Sequence, residues 1–307
     1  MKNLLLKFVA LMTSSLLSFG AIAYEASDAD PKYWEKFFLE RDLKEHSSLQ
    51  FPSPEIYESN FNWQHKIFLP SGPGPHPLVV ILPTCGGIDS SERTLLDYAI
   101  KRGYAAIVLD NHRGAKTNCM PNAQRPVKWG RMVKDLYDLS AHVSSLKEID
   151  SKRLFTIGGS QGGMLGGLLA SPGIHSFTAP NAPRYRASSS LYGCGFYPLG
   201  TFKTQVTHTA YFFNDTDRPL LWLMGSDDKE CMVSDEIAML EIFKKKGLPI
   251  QYHVYPGASH SWDHPNLNGK QKTFNYGGKT VHHTYRYDEA VTTDSYRKSF
   301  DFFDVQK

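Results

Sequence analysis

The chain has 307 residues, 41% hydrophobic and 21% charged, with a formal net charge of +3. That balance excludes a largely disordered chain and leaves room for one large domain. The charge is too small and too scattered for a nucleic-acid surface. The single basic run, Lys244–Lys246, stands before Gly247 and suits a helix C-terminus.

Residues 1–23 read as an export signal. Lys2 and Lys7 give a basic start, "FVALMTSSLLSFG" an apolar run, and "AIA" at Ala21–Ala23 small residues for cleavage. The run is too short for a membrane span, and no cysteine stands nearby to carry a lipid, so no stable membrane anchor is expected. The mature chain, 24–307, would then be a single domain in a periplasm or outside the cell. In such an oxidising space Cys85, Cys119, Cys194 and Cys231 read as two disulfides, with three pairings open. No CxxC spacing points to zinc.

In chain order, Asp30 to Glu45 has helical spacing. "HKIFLPSGPGPHPLVVILPT" reads as a strand, a Gly/Pro turn and a second strand, and the apolar run Leu78–Leu82 suits a strand covered on both faces. "AAIVLD" (Ala105–Asp110) is another such run. Val127 to Leu146 should be a long helix, because Met132, Leu136, Leu139, Val143 and Leu146 share one face. "LFTI" (Leu154–Ile157), "PLLWLM" (Pro219–Met224) and "IQYHVYP" continue the strands. Ser234 is placed as the cap of a helix that ends at Gly247, and Thr292 to Phe303 as the last helix. Short apolar strands alternating with helices indicate one α/β domain around a mostly parallel sheet.

"RLFTIGGSQGGMLGGLLAS" holds six glycines around Ser160. It offers no G-x-G-x-x-G and no lysine, which excludes the common phosphate loops. It does match G-x-S-x-G, from Gly158 to Gly162. In that pattern a strand turns into a helix so sharply that the serine Oγ projects, and side chains two positions either side would collide with backbone. The pattern alone would arise by chance in roughly one such chain in ten. Gly166 and Gly167 are read as helix-to-sheet packing without chemistry.

A nucleophilic serine needs a base, and the base an orienting acid, in the chain order Ser, Asp/Glu, His and at the carboxyl ends of strands. "GSDDKEC" offers Asp227 and Asp228 after one strand, with Asp228 favoured. "GASHSWDH" offers His260 after the last, with His264 as runner-up and Asp263 as a surface group. His260 and His264 lack an HExxH frame for zinc. His282-His283 reads as a solvated loop rather than a metal site, so neither a metal nor an organic cofactor is expected. The oxyanion hole would combine the N–H groups of Gln161 and Cys85.

These segments resemble the dienelactone hydrolase family of α/β hydrolases. The carriers are "LVVILPTCGG", "VLDNHRG", "IGGSQGG", "LMGSDDKEC", "YPGASHSW" and "YRYDEAVTTDSYRKSFDFF". The resemblance implies the α/β-hydrolase fold. It places Ser160, Asp228 (three residues after Gly225) and His260 in a triad, and Cys85 as second oxyanion donor. Its namesake enzymes use a cysteine nucleophile; serine here implies general ester hydrolysis. "DNHRG" departs from the family's Asp-Ser-Phe form, so His112 and Arg113 would shape a different pocket. On that fold the implied disulfides are Cys85–Cys119 and Cys194–Cys231, each pinning a loop of the site. The implied partner is a small ester or lactone. The rivals are a peptidase or acyltransferase on the same fold, and a non-catalytic binding protein of hydrolase shape.

Overall fold

The structure is a computed structural model that describes residues 40–58, 62–120, 124–199, 208–211, 215–276 and 279–306. The export signal lies outside the described residues, as does most of the Asp30–Glu45 helix. The described part of that helix is α1, Glu40–Leu43. Then come β1 (Glu55–Ile56), β2 (Ile67–Leu69), β3 (His76–Leu82), α2 (Ser90–Lys101), β4 (Ala105–Val108), α3 (Trp129–Ser144) and β5 (Ile149–Gly159). α4 (Gln161–Leu169), α5 (Pro172–Thr178), β6 (Ala187–Leu191), β7 (Phe196–Leu199), β8 (His208–Tyr211), β9 (Leu220–Gly225) and α6 (Val233–Lys245) follow. The chain closes with β10 (Ile250–Tyr255), β11 (Gln271–Tyr276), β12 (Lys279–Thr284) and α7 (Glu289–Asp304).

Eight described strands form one sheet in the order β1-β2-β4-β3-β5-β6-β9-β10. Every neighbouring pair is parallel except β2 with β4. The unbroken apolar run in β3 reflects two covered faces. Leu78, Val80 and Leu82 pack into one core with Met132, Leu136, Leu139 and Val143 of α3. Val79 and Ile81 pack into the other, with Leu95 and Leu96 of α2 and Phe300 and Phe303 of α7. Each fully buried side chain of this size contributes about 1.5–3 kcal/mol.

α3 is slightly shorter at both ends than the apolar stripe suggests. α2 is held by a capping box: Asp89 accepts from Ser91 N at 2.8 Å, and Glu92 accepts from Asp89 N at 2.7 Å. The cap assigned to Ser234 is corrected. Cys231 is tied down by its disulfide and its N–H, so α6 starts almost at once, with Met232 at the cap position. His282 and His283 are not in a loop but in β12, which pairs antiparallel with β11.

Candidate active site

β5 ends at Gly159 and α4 begins at Gln161, so Ser160 alone makes the strand-to-helix turn. Its backbone sits at φ 51° and ψ −112°, a sparsely populated conformation that costs about 1–3 kcal/mol. Close approach to β3 dictates the flanking glycines. A Cβ on Gly158 would lie 2.7 Å from the Leu82 carbonyl oxygen, and one on Gly162 only 2.3 Å from it. Gly159 is constrained from the other side, since a Cβ there would lie 2.3 Å from the Tyr192 hydroxyl. Gly166 packs α4 on the sheet, its Cβ position 3.1 Å from Ser188 Cβ. The first N–H groups of α4 thus start directly beside the Ser160 side chain, where negative charge is favoured.

β9 and β10 are adjacent and parallel, so the loops at their carboxyl ends meet. There Asp228 Oδ2 lies 2.7 Å from His260 Nδ1. Both residues are buried. The other Asp228 oxygen accepts from Glu230 N at 2.8 Å and Cys231 N at 3.0 Å, which fixes the carboxylate before it meets the ring. Asp227 is exposed and pairs with Arg286. Burial works against charge on His260, but Asp228 and Glu230 outweigh it and raise the imidazole above its ordinary value. With Nδ1 occupied, Nε2 is the ring atom left for a serine proton. No hydrogen bond joins it to Ser160 among the described residues, and such contacts commonly tighten only with substrate.

Cys85 follows β3 in a tight turn closed by Gly87 N to Thr84 O at 3.1 Å. Its carbonyl accepts from Asn118 N at 2.7 Å, and its sulfur joins Cys119 with the Cα atoms 4.8 Å apart. The loop after β3 is therefore locked to the loop after β4. Neither the Cys85 N–H nor the Gln161 N–H has a partner among the described residues. Cys194 and Cys231 form the second disulfide, with Cα atoms 5.0 Å apart, and it ties the Asp228 loop to the segment after β6.

His264 and Asp263 correct the sequence reading. Asp263 is buried rather than at the surface, because it accepts from Tyr192 at 2.5 Å and Tyr296 at 3.0 Å. His264 is buried beside it, with Nδ1 at 3.0 Å from Asp89 and Nε2 at 3.1 Å from the Tyr192 hydroxyl. Burial opposes its charge, yet Asp263, Asp89 and Glu92 push it up to about 9. Burial also holds Glu92 up to about 7. Asp89, Glu92 and His264 present ligand atoms close together. Helix capping and the charged imidazole already use them, so the cluster reads as an ion-pair network joining α2 to the His260 loop.

Tyr192, Glu230, Tyr285 and Lys272 escape the sequence reading. Tyr192 sets its ring edge against His260, with centroids 4.9 Å apart. Glu230 accepts from Tyr285 and pairs with Lys272, and these partners with His260 bring it down to about 2 in spite of burial. The β11–β12 hairpin supplies Lys272 and also His283, whose ring centroid is 6.3 Å from that of His260.

The profile of the dienelactone hydrolase family matches residues 64–306. The chain belongs to this family. Membership makes it a carboxylic ester hydrolase, acting on esters or lactones. It is similar to a candidate carboxymethylenebutenolidase of Synechocystis sp., 24% identical over 209 residues that cover 63% of this chain and 78% of the relative. Among solved structures it is similar to a candidate dienelactone hydrolase of Klebsiella pneumoniae. The TM-score is 0.55 and the identity 18%, over 76% of this chain and 89% of the other. Esterase 2 of Thermogutta terrifontis, in its apo form, gives a TM-score of 0.54 and 17% identity, over 77% of this chain and 87% of the other. At these identities the solved structures speak for the α/β-hydrolase fold.

Proposed function

We propose that the protein is an exported serine hydrolase that cleaves a carboxylic ester or lactone through an acyl-enzyme intermediate. The carrying observation is the pairing of a strained Ser160 at the elbow with the 2.7 Å contact of His260 and Asp228. His260 Nε2 takes the Ser160 proton as Oγ attacks the carbonyl carbon. The oxyanion gathers on the N–H groups of Gln161 and Cys85. The imidazolium, steadied by Asp228, gives its proton to the leaving alkoxide. Water then attacks the acyl carbon, His260 takes its proton, and Ser160 is released with the acid.

Export is supported by the N-terminal pattern at 1–23 and by two disulfides, which suit an oxidising space. Among the described residues no helix is long and apolar enough to cross a membrane. Residues 24–307 are proposed as one domain.

The test is fluorophosphonate labelling of folded protein beside turnover of a p-nitrophenyl ester panel. Wild type should be labelled on Ser160 and turn over the panel, and Ser160→Ala should do neither. Turnover that survives in Ser160→Ala would reject Ser160 as nucleophile.

A further inference from the structure

Gln161 follows Ser160 directly, and its side chain is held at both ends. Its Oε1 accepts from Arg125, and its Nε2 lies 2.6 Å from His112 Nε2. Arginine can only donate, so the amide orientation is fixed and Gln161 Nε2 is the donor to His112. His112 Nε2 is then an acceptor, which makes the ring neutral with its proton on Nδ1. Burial, reinforced by Arg125 against the pull of Asp110, keeps it neutral by lowering it to about 4.

That Nδ1–H has no acceptor among the described residues, although His112 is only 2% exposed. Its neighbour Asn111 is wholly buried, and neither of its amide atoms has a partner there. Buried polar groups are nearly always satisfied, so an unpaired one on a ring held against the Gln161 side chain, next in sequence to Ser160, points to a group supplied from outside the chain.

Topology says which part of a substrate would supply it. In the order β4-β3-β5-β6-β9-β10, Ser160 follows β5 and His112 follows β4. Asp228 and His260 follow β9 and β10, on the other side of Ser160. The leaving oxygen must lie toward His260, which protonates it. The acyl chain therefore extends toward the loop after β4.

We propose that His112 is a specificity residue of an acyl subsite, donating through Nδ1–H to a neutral oxygen acceptor, such as a keto or ether oxygen, on the acyl chain. A neutral acceptor is favoured because Asp110 stands close to His112 and the Arg125 guanidinium is turned to Gln161. The inference rests on the serine-hydrolase reading.

The experiment compares p-nitrophenyl levulinate and its one-carbon-longer keto homologue with isosteres that carry a methylene in place of the ketone. Rates of alkaline hydrolysis provide the correction for intrinsic reactivity. Wild type should favour at least one keto ester by about ten-fold in kcat/KM, the weight of one buried hydrogen bond. His112→Phe should bring that ratio near one, and His112→Asn, which restores an N–H, should recover part of it. A wild-type ratio near one for both pairs would overturn the proposal. So would a ratio unchanged in His112→Phe, or a matching half-ester carboxylate that outperforms the ketone. If His112→Phe fails to fold, the wild-type and His112→Asn ratios still decide. Esters cleaved without preference sink the subsite alone, whereas no cleavage of any ester sinks the serine-hydrolase reading and the subsite with it.

Discussion

Asp228 Oδ2 stands 2.7 Å from His260 Nδ1, while the adjacent acid Asp227 faces outward to Arg286. The two carboxylates are neighbours in sequence and opposite in environment. Asp228→Asn keeps the shape but can present an amide N–H to Nδ1, which favours the wrong imidazole tautomer. It is expected to lower kcat/KM by about 10³–10⁴-fold. Asp227→Asn removes an exposed pair and should change kcat/KM by less than about three-fold. Steady-state kinetics on one p-nitrophenyl ester separates them, and equal losses would contradict the assignment.

As the proposed base, His260 would work only when neutral; burial lowers its pKa, but Asp228 and Glu230 outweigh burial and raise it above the ordinary 6.5. The sign follows directly. As pH falls, His260 becomes protonated, so kcat/KM should decline through a midpoint above 6.5. Glu230→Gln removes one of the carboxylates that favour the imidazolium, so the midpoint should move to lower pH. A pH–rate profile of both proteins checks this, and a midpoint that stays or rises in the variant contradicts it.

The sequence was legible where one residue type has one physical use. Gly158 and Gly162 stand where nothing larger fits against Leu82 O, and such spacing survives as a pattern. The stripe from Met132 to Val143 is legible because burial on one helix face repeats every three or four residues. Asp263 and His264 were misread because a polar residue in a Gly/Ser loop gives no sign of its partners. Tyr192, Tyr296 and Asp89 come from distant parts of the chain. Ser234 was misread because a disulfide, not a hydroxyl, decides where α6 begins.

Gly162→Ala tests the close approach. The added methyl would lie 2.3 Å from the Leu82 carbonyl, and neither β3 nor α4 can yield without moving the elbow. The expected loss is about 1–3 kcal/mol of stability, together with most of the activity, since Ser160 and the Gln161 N–H move with the helix start. Gly166→Ala meets Ser188 Cβ at 3.1 Å and should be milder on both counts. Thermal melts and ester kinetics of both variants give the comparison. A Gly162→Ala enzyme with wild-type kinetics would remove the steric account of the motif.

Both disulfides close loops of the site. Cys85–Cys119 ties the turn after β3, the proposed oxyanion turn, to the loop after β4, and Cys194–Cys231 ties the Asp228 loop to the end of β6. Each is expected to contribute about 2–4 kcal/mol. Intact mass of the native protein should show no free thiols, and reduction should lower the melting temperature. Cys194→Ser with Cys231→Ser should cost activity beyond its effect on folding, because Cys231 N also orients Asp228. Four free thiols in native protein would contradict the structure.

The His264 network makes a separate statement about pH and stability. His264 faces Asp89, Asp263 and Glu92, with Tyr192 at its other nitrogen. Its folded pKa is about 9 against an ordinary 6.5, so its ion pairs contribute fully below pH 6.5 and are lost as pH rises through 9. Glu92 is held up to about 7 from 4.5 by burial, so ionising it lowers stability between those values. Both contributions fall as pH rises. His264→Asn should therefore melt lower than wild type at pH 6, by about 5 °C for a loss on the order of 2 kcal/mol. The gap should close toward pH 10, where the wild-type imidazole is also neutral. A gap that is constant from pH 6 to pH 10, read by melts in matched buffers, would show that His264 acts through packing and not through charge.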